Sequence, residues 1–353
     1  MKIAVLNDTH CGIRNSSEIF LENAGKFYSE VFFPYCQENG IEQILHLGDY
    51  YDHRKFVNFK ALNHNRKVFL DPLRKYGMKM DIIPGNHDTY FKNTNDLNSL
   101  KECLGHYMNE IHIVMEPTVM EYGSLKIALL PWINAENYQS SMKFVAECKA
   151  DWLGGHLELQ GFEVMRGLKN EHGQDASPFK RFEQVLTGHY HIQSKQDNIW
   201  YLGSQLEFFW NDAHEAKHFA VIDTETREIT QIKNPHTLFE KIVYNDNETE
   251  YNNYDVSHLD NKFVKIVVVN KADQFTFDRF VDRIQNRDIY ELKIAENFSE
   301  FIGENVDDDN MSFDDTQEIV DTYIDAVETE LDKNKIKNQV RELMIEAQAL
   351  EVA

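Results

Sequence analysis

The chain has 353 residues, a formal net charge of −23, 42% apolar residues and four cysteines. This length exceeds that of a usual single domain, so two domains or one large domain with appendages is expected. No run reaches the roughly 20 apolar residues of a membrane helix, and Met1 to Leu6 meets Asn7 and Asp8 too soon for a signal peptide, so a cytoplasmic protein with no membrane partner is expected. Cys11, Cys36, Cys103 and Cys148 are far apart with no paired spacing, so neither a disulfide framework nor a thiolate zinc site is indicated; they read as small buried residues, Cys11 being the one beside a candidate metal ligand. The acidity argues against a nucleic-acid partner, but it is unevenly spread. Residues 236–353 hold 28 acids against 12 bases, and residues 1–235 hold 31 against 24.

In chain order, Lys2 to Asn7 reads as a buried strand. Ser16 to Glu38 follows as a helix, with Phe20, Ala24, Phe27, Val31 and Tyr35 at helical spacing and Gly40 as its stop. Apolar runs at Ile41 to Leu47, Met78 to Pro84, Trp152 to Gly154 and Val185 to Thr187 predict further strands, and Asn58 to Tyr76 and Asn134 to Lys149 predict helices. This alternation is the signature of a layered α/β domain. Beyond Gly188 the strands crowd together, at Trp200 to Leu202, His218 to Asp223, Glu228 to Ile232 and Leu238 to Tyr244. The acidic, Asn- and Tyr-rich run Asp246 to Asp260 reads as a solvated excursion. A small unit then pairs strands at Phe263 to Val269 and Ile289 to Ile294 with a helix at Gln274 to Asn286. Glu296 to Glu318 holds nine acids and no base and reads as a self-repelling linker. Thr316 to Leu331 and Lys335 to Leu350 close the chain as two amphipathic helices. The expected divisions are a main domain at 1–235, a small α/β domain at 236–295, a linker at 296–315 and a helical tail at 316–353.

Five polar clusters stand where apolar runs end: Asp8-Thr9-His10, Gly48-Asp49 with Asp52, Gly85-Asn86-His87-Asp88, Gly155-His156, and Gly188-His189-Tyr190-His191. Ligands gather at the carboxyl ends of strands in open α/β sheets, so these clusters can converge on one cleft. Asp, Asn and His suit borderline to hard divalent metals, which favours Mn, Fe or Zn over a structural thiolate site. One metal needs three or four such groups. Seven donors point to two ions sharing a carboxylate, an arrangement that activates a hydroxide and clamps an in-line phosphoryl displacement. Two divalent ions bring four positive charges against the carboxylates of Asp8 and Asp49, so an anionic phosphate can bind although the whole chain is acidic.

The ordered pattern D-x-H, G-D-x-x-D, G-N-H-D, G-H, G-H-x-H resembles the calcineurin-like metallophosphoesterase superfamily. Gly155-His156-Leu157-Glu158-Leu159-Gln160-Gly161-Phe162 and Tyr201-Leu202-Gly203-Ser204 bring it nearer to phage recombination nuclease subunits of the SbcD and meiotic-recombination type. The resemblance implies a layered β-sandwich flanked by helices, a small α/β capping domain that engages DNA, and a helical tail that binds an SMC-like ATPase. It also implies a two-metal DNA exonuclease or endonuclease of recombination and repair, acting in the host cytoplasm if phage-encoded, with manganese foremost among its metals. Asp8, His10, Asp49 and His191 would hold one ion and Asp49, Asn86, His156 and His189 the other. His87 would act as general acid or charge stabiliser, with Asp52 orienting or tuning it. Relatives are commonly dimers. The chain departs from the family pattern at Gln205, where many relatives carry Pro, at Cys11, where Leu is common, and at Asp52, where some carry His.

The remaining residues read plainly. Arg14, Arg54, Lys55, Lys60 and Arg66 are candidate phosphate contacts, although solvated helix charges are nearly as good a reading. Asp88 reads as a hydrogen-bonded loop residue, and His46, His53, His64, His106, His112, His172, His214, His218 and His236 as surface or structural histidines. Phe208, Phe209 and Trp210 read as core or interface. The competing functions are a phosphatase or small-molecule phosphodiesterase on the same fold, and a non-catalytic scaffold. Asp88 speaks against the first, since phosphoprotein phosphatases carry Glu there, and the intact donors and His87 speak against the second.

Overall fold

The computed structural model describes residues 1–165 and 168–295, together with Lys333, Lys335 and Lys337. The expected linker and tail helices therefore lie outside the described residues, apart from those three lysines. Met1–Glu296 forms one compact unit.

In the first sheet β1 (Lys2–Leu6), β2 (Gln43–His46), β3 (Lys79–Ile82) and β4 (Ile111–Ile113) run parallel. The second sheet is built from β5 (Thr118–Tyr122), β6 (Leu125–Leu130) and β7 (Trp152–His156), then, after a small hairpin of β8 (Glu163–Met165) and β9 (Leu168–Lys169), from β10 (Gln184–Gly188), β11 (Ser194–Gln196) and β12 (Ile199–Tyr201). The chain then returns to the first sheet as β13 (His218–Asp223) and β14 (Ile229–Lys233). The resulting orders are β14-β13-β1-β2-β3-β4 and β11-β12-β10-β7-β6-β5. The strand period of two explains the layering. Ile3 and Val5, with Leu45 and Leu47 from the β2 end of the same sheet, face the second sheet and meet Ile127, Leu129, Trp152 and Leu186 there, whereas Ala4 and Leu6 face the flanking helices with Phe20, Phe27, Phe32 and Phe69. The outer face of the second sheet, including Leu130, Leu153 and Val185, is covered by Val145, Phe179 and Phe182. This is the expected sandwich flanked by helices. Residues 111–130, which the sequence reading left unassigned, supply the edge strand β4 and the β5–β6 hairpin.

The two long helices are each interrupted. Glu18–Lys26 passes into a π-type stretch at Phe27–Phe32 before α-geometry resumes at Phe33–Glu38, and Phe59–Asn65 does so at Arg66–Leu70 before Asp71–Lys75. Pro34 and Pro72 stand second in the closing segments. Each lacks the N–H for the bond four residues back, and the wider turn makes room for its ring.

A third, all-parallel sheet of β15 (Phe239–Asn245), β16 (Phe263–Asn270) and β17 (Glu291–Ala295) is covered by the helix Gln274–Gln285. It is anchored to the main body by an aromatic chain, with Phe239 5.3 Å from Phe263, 4.9 Å from Trp210 and 6.0 Å from Phe20 between ring centroids. The buried carboxylate of Glu207 accepts the backbone N–H groups of Leu238 and Phe239, which fixes the entry to β15. The run from Asp246 to Asp260 is not simply a solvated excursion. Glu248, Glu250 and Asp255 are exposed, but Tyr251 and Leu259 are buried, and Tyr251 stacks on Tyr244 at 4.1 Å. Among the described residues no helix is long and apolar enough to cross a membrane.

Candidate metal centre

The seven expected ligands come together at one edge of the sandwich because the strands that precede them all end there. Asp8 and His10 follow β1, Asp49 follows β2, Asn86 follows β3, His156 is the last residue of β7, and His189 and His191 follow β10. Sharp local turns bring the donors inward. Asp8, His10, Asp49 and His189 have φ of 47°, 40°, 54° and 91°, a left-handed conformation that costs non-glycine residues free energy. Backbone bonds from Asp8 N–H to the Gly48 carbonyl (2.9 Å) and from His10 N–H to the Asp49 carbonyl (3.1 Å) hold these turns against each other.

The donors form two adjoining groups. Asp8, His10 and His191 present ligand atoms within 4.8 Å of one another, as do Asp49, His156 and His189. Asn86 Oδ1 lies 2.9 Å from both His156 Nε2 and His189 Nδ1, which adds it to the second group. Asp49 stands between the two: its Oδ2 is 3.7 Å from His10 Nε2 and 3.2 Å from His156 Nε2, while its Oδ1 accepts the His87 backbone N–H at 2.8 Å. In the first group the Nε2 atoms of His10 and His191 face each other at 3.0 Å, with His10 buried and His191 half-buried. In the second, His156 donates Nδ1–H to the Leu47 carbonyl at 2.8 Å, which leaves Nε2 as its inward donor. Two such nitrogen and oxygen sets meeting at one carboxylate fit two divalent ions.

Electrostatics agree with this reading. Burial opposes charge on His10 and His156, but Asp52 and Asp49 beside the first and Asp49 beside the second hold each imidazole up, to about 9. Burial also opposes charge on Asp49, yet His156, His87 and His10 together keep its carboxyl well below the usual range. Burial and the charge of His156 push His189 down to about 3, and burial with the charge of His10 holds His191 well below the usual imidazole range. Both imidazoles are thus held toward the protonated form, and a divalent ion taking either as a ligand must displace that proton. Apparent metal affinity is predicted to rise with pH below about 9, because each displaced proton contributes about 1.4 kcal/mol per pH unit. Calorimetric titration with manganese in buffers of different ionisation enthalpy checks this; pH-independent binding without proton release would refute it.

Close backbone approach is the second requirement of the site. A Cβ on Gly85 would stand 2.1 Å from Asp49 Oδ1 and 2.4 Å from Asp49 N, so only glycine fits beside that carboxylate. Gly85→Ala is predicted to cost about 1–3 kcal/mol of stability through overpacking and to lower metal content below two ions per chain, as elemental analysis after gel filtration would report. Retention of both ions would contradict the placement of Asp49.

The other expected residues divide by position. Asp52 meets His87 through its backbone, His87 Nδ1–H donating to the Asp52 carbonyl at 2.5 Å. Asp88 is a buried loop organiser that accepts the N–H groups of Tyr50, Tyr51 and Gly85. Arg14 donates Nε–H to the Phe208 carbonyl at 3.2 Å and lies 4.8 Å above the Phe209 ring, which stacks on His191. Arg54 is half-buried, with Nη1 lacking a hydrogen-bond partner. Lys55, Lys60 and Arg66 are exposed, Lys60 pairing with Glu18 at 3.3 Å and Arg66 bonding Asn63. Cys11 lies beside the site, where burial and Asp52 push its thiol above the ordinary range. His46 is buried beneath the site against Thr9, and His53 stacks on Phe56 at 4.4 Å.

Several contributors escaped the sequence reading. Gln205 donates its amide to the carbonyls of Asn7 (2.8 Å) and Asp8 (3.2 Å), a clamp that a proline at this position could not form. Lys217 donates to the His191 carbonyl at 3.0 Å and to Asp212 Oδ1 at 2.5 Å, while the other oxygen of Asp212 accepts the N–H groups of Phe208 and Phe209. Trp132 places its ring 5.4 Å from His189 and 5.9 Å from His156. Only Gln205 carried a signal, as a departure from a family pattern.

Comparison with known proteins now decides the family. Residues 1–193 match the model for calcineurin-like phosphoesterases, a span that contains every proposed metal ligand. The chain belongs to that family. Exonuclease subunit 1 of Enterobacteria phage T4 is 26% identical over 350 residues, a match covering 98% of this chain and 99% of the phage protein. Among solved structures, an archaeal phosphodiesterase aligns over 66% of this chain and all of its own at 17% identity, with a TM-score of 0.34. A dimetal phosphatase from Danio rerio aligns over 66% of this chain and 98% of its own at 11% identity, with a TM-score of 0.39. The protein is thus a phosphoesterase of a family that uses divalent metals, and it is similar over nearly its whole length to a phage exonuclease subunit.

Proposed function

We propose that the protein is a two-metal DNA nuclease that hydrolyses phosphodiester bonds in recombination and repair, as the nuclease subunit of a complex with an SMC-like ATPase in the host cytoplasm. The position of Asp49 between the two donor groups carries the two-metal reading. End-to-end similarity to a phage exonuclease subunit supports DNA as the substrate. Asp8, His10, Asp49 and His191 would hold one ion and Asp49, Asn86, His156 and His189 the other, with manganese as the expected metal. When bound, such a pair supplies a hydroxide nucleophile at neutral pH and neutralises charge on the phosphoryl oxygens. His87 is held by its Nδ1–H bond to the Asp52 carbonyl, which aims the rest of its ring at the cleft. A proton on Nε2 can then pass to the leaving oxygen. Trp132 and Phe209 wall the centre on the sides of His189 and His191, and Arg14 and Arg54 offer guanidinium groups to DNA phosphates. The small domain at 236–295 serves as the DNA-engaging cap.

Digestion of end-labelled DNA with manganese, set against turnover of p-nitrophenyl phosphate, tests the reading. Rapid metal-dependent cleavage of DNA with slow monoester turnover is expected; the reverse preference would make the protein a phosphatase. Deleting residues 311–353 is predicted to leave metal-dependent cleavage of single-stranded DNA largely intact while abolishing co-purification with the ATPase encoded by the same genome. A truncated chain that still binds the ATPase would refute docking through the tail.

A further inference from the structure

We infer that the carboxylate of Asp52 is a positioning group for the metal ligand His10, holding a proton on Nδ1 so that Nε2 faces the metal. Asp52 Oδ1 lies 3.4 Å from His10 Nδ1, with both residues buried. His10 Nε2 is the atom that faces His191 Nε2 at 3.0 Å and Asp49 Oδ2 at 3.7 Å. The two ring nitrogens thus point in opposite senses, one into the donor group and one at Asp52. His87 reaches Asp52 by a different atom, the backbone carbonyl, and that bond would survive loss of the carboxylate.

The length of the contact is informative. His10 Nδ1 and Asp52 Oδ2 are both buried without a hydrogen-bond partner, and a separation of 3.4 Å exceeds that of a charge-assisted bond. Buried polar groups left this way are destabilising. A small rotation of the imidazole, of the kind that coordination at Nε2 would impose, would bring Nδ1–H onto Oδ1, the nearer carboxylate oxygen. Carboxylates that hold metal-ligating histidines in this way tune affinity, and their removal typically weakens metal binding about 10–100-fold. The carboxylate also neighbours His53, 3.6 Å from Oδ2, half-buried and outside the donor groups, and has a ring nitrogen of His87 within 4.8 Å. Asp52 therefore connects the loop after β2 to the ligand after β1.

The inference rests on the two-metal reading and can fail separately from it. Manganese binding is measured by equilibrium dialysis and by the exchange-coupled resonance of the manganese pair, in the wild type, Asp52→Asn and His87→Gln. Asp52→Asn should weaken one of two sites about 10–100-fold, lose the coupled signal at limiting metal, and regain most of its turnover in excess manganese. His87→Gln should keep both affinities, with a rate loss that excess metal does not restore. Unchanged metal affinity in Asp52→Asn, combined with a rate loss that metal cannot rescue, would overturn the inference in favour of action through His87. A wild type that binds fewer than two ions would overturn the two-metal reading itself, and the inference with it. A second readout needs no folded Asp52 variant. In the zinc-loaded wild type, long-range nitrogen-15 spectra assigned with His10→Gln should show His10 protonated at Nδ1 and coordinated through Nε2. The opposite tautomer would overturn the proposal.

Discussion

Asp49→Ala is expected to release both metal ions and to bring phosphodiester hydrolysis below detection, with the fold intact. Its Oδ2 is within 3.7 Å of a nitrogen in each donor group, so it is placed to serve both. Removing one partner of a buried charge pair ordinarily costs about 3–5 kcal/mol. Here His10 and His156 can lose their protons once the carboxylate that holds them is gone, and near pH 8 that step is close to free for an imidazole of ordinary pKa. The loss should therefore fall on metal binding far more than on folding. Elemental analysis and a thermal melt at pH 8 check both halves. Two ions retained by the variant would refute the bridging assignment, and collapse of the melt would show that the carboxylate is mainly structural.

His87→Gln should separate binding from chemistry. No metal is assigned to His87, and its backbone N–H already serves Asp49 Oδ1 at 2.8 Å, a bond that the variant retains. Metal content and DNA affinity should hold while the rate falls by roughly 100 to 10,000 fold, the range for a lost acid or base. Single-turnover cleavage of labelled DNA measures the effect without interference from product release. An unchanged rate would remove His87 from the mechanism, and loss of metal would make it a ligand.

The meeting of the five clusters was legible because each stands at the end of an apolar run, and strands ending on one edge deliver their next residues to the same place. Residues distant in the chain, such as Asp8 and His189, were thereby linked without a contact map; the structure joins them by the bond from His189 N–H to Asp8 Oδ1 at 3.0 Å. Direction of approach was less legible. The sequence put Asp52 near His87, but only the fold shows that the carbonyl meets His87 while the carboxylate turns to His10. Trp132 and the Lys217–Asp212 pair were invisible for a related reason. They reach the site from the loop after β6 and from the end of the second sheet's connection to β13, and no motif surrounds them. The edge strands were missed because Ile111–Ile113 is three residues long and the Thr118–Tyr122 strand is only partly buried, so neither forms a continuous apolar run.

The central claim is that the five strand-end clusters build one centre for two metal ions. Anomalous diffraction from crystals soaked in manganese tests it most directly. The account predicts two peaks about 3.5–4 Å apart, bridged by Asp49, with His10 and His191 on one ion and Asn86, His156 and His189 on the other. A single peak, or an ion held instead among His10, Asp52 and His87, would contradict it.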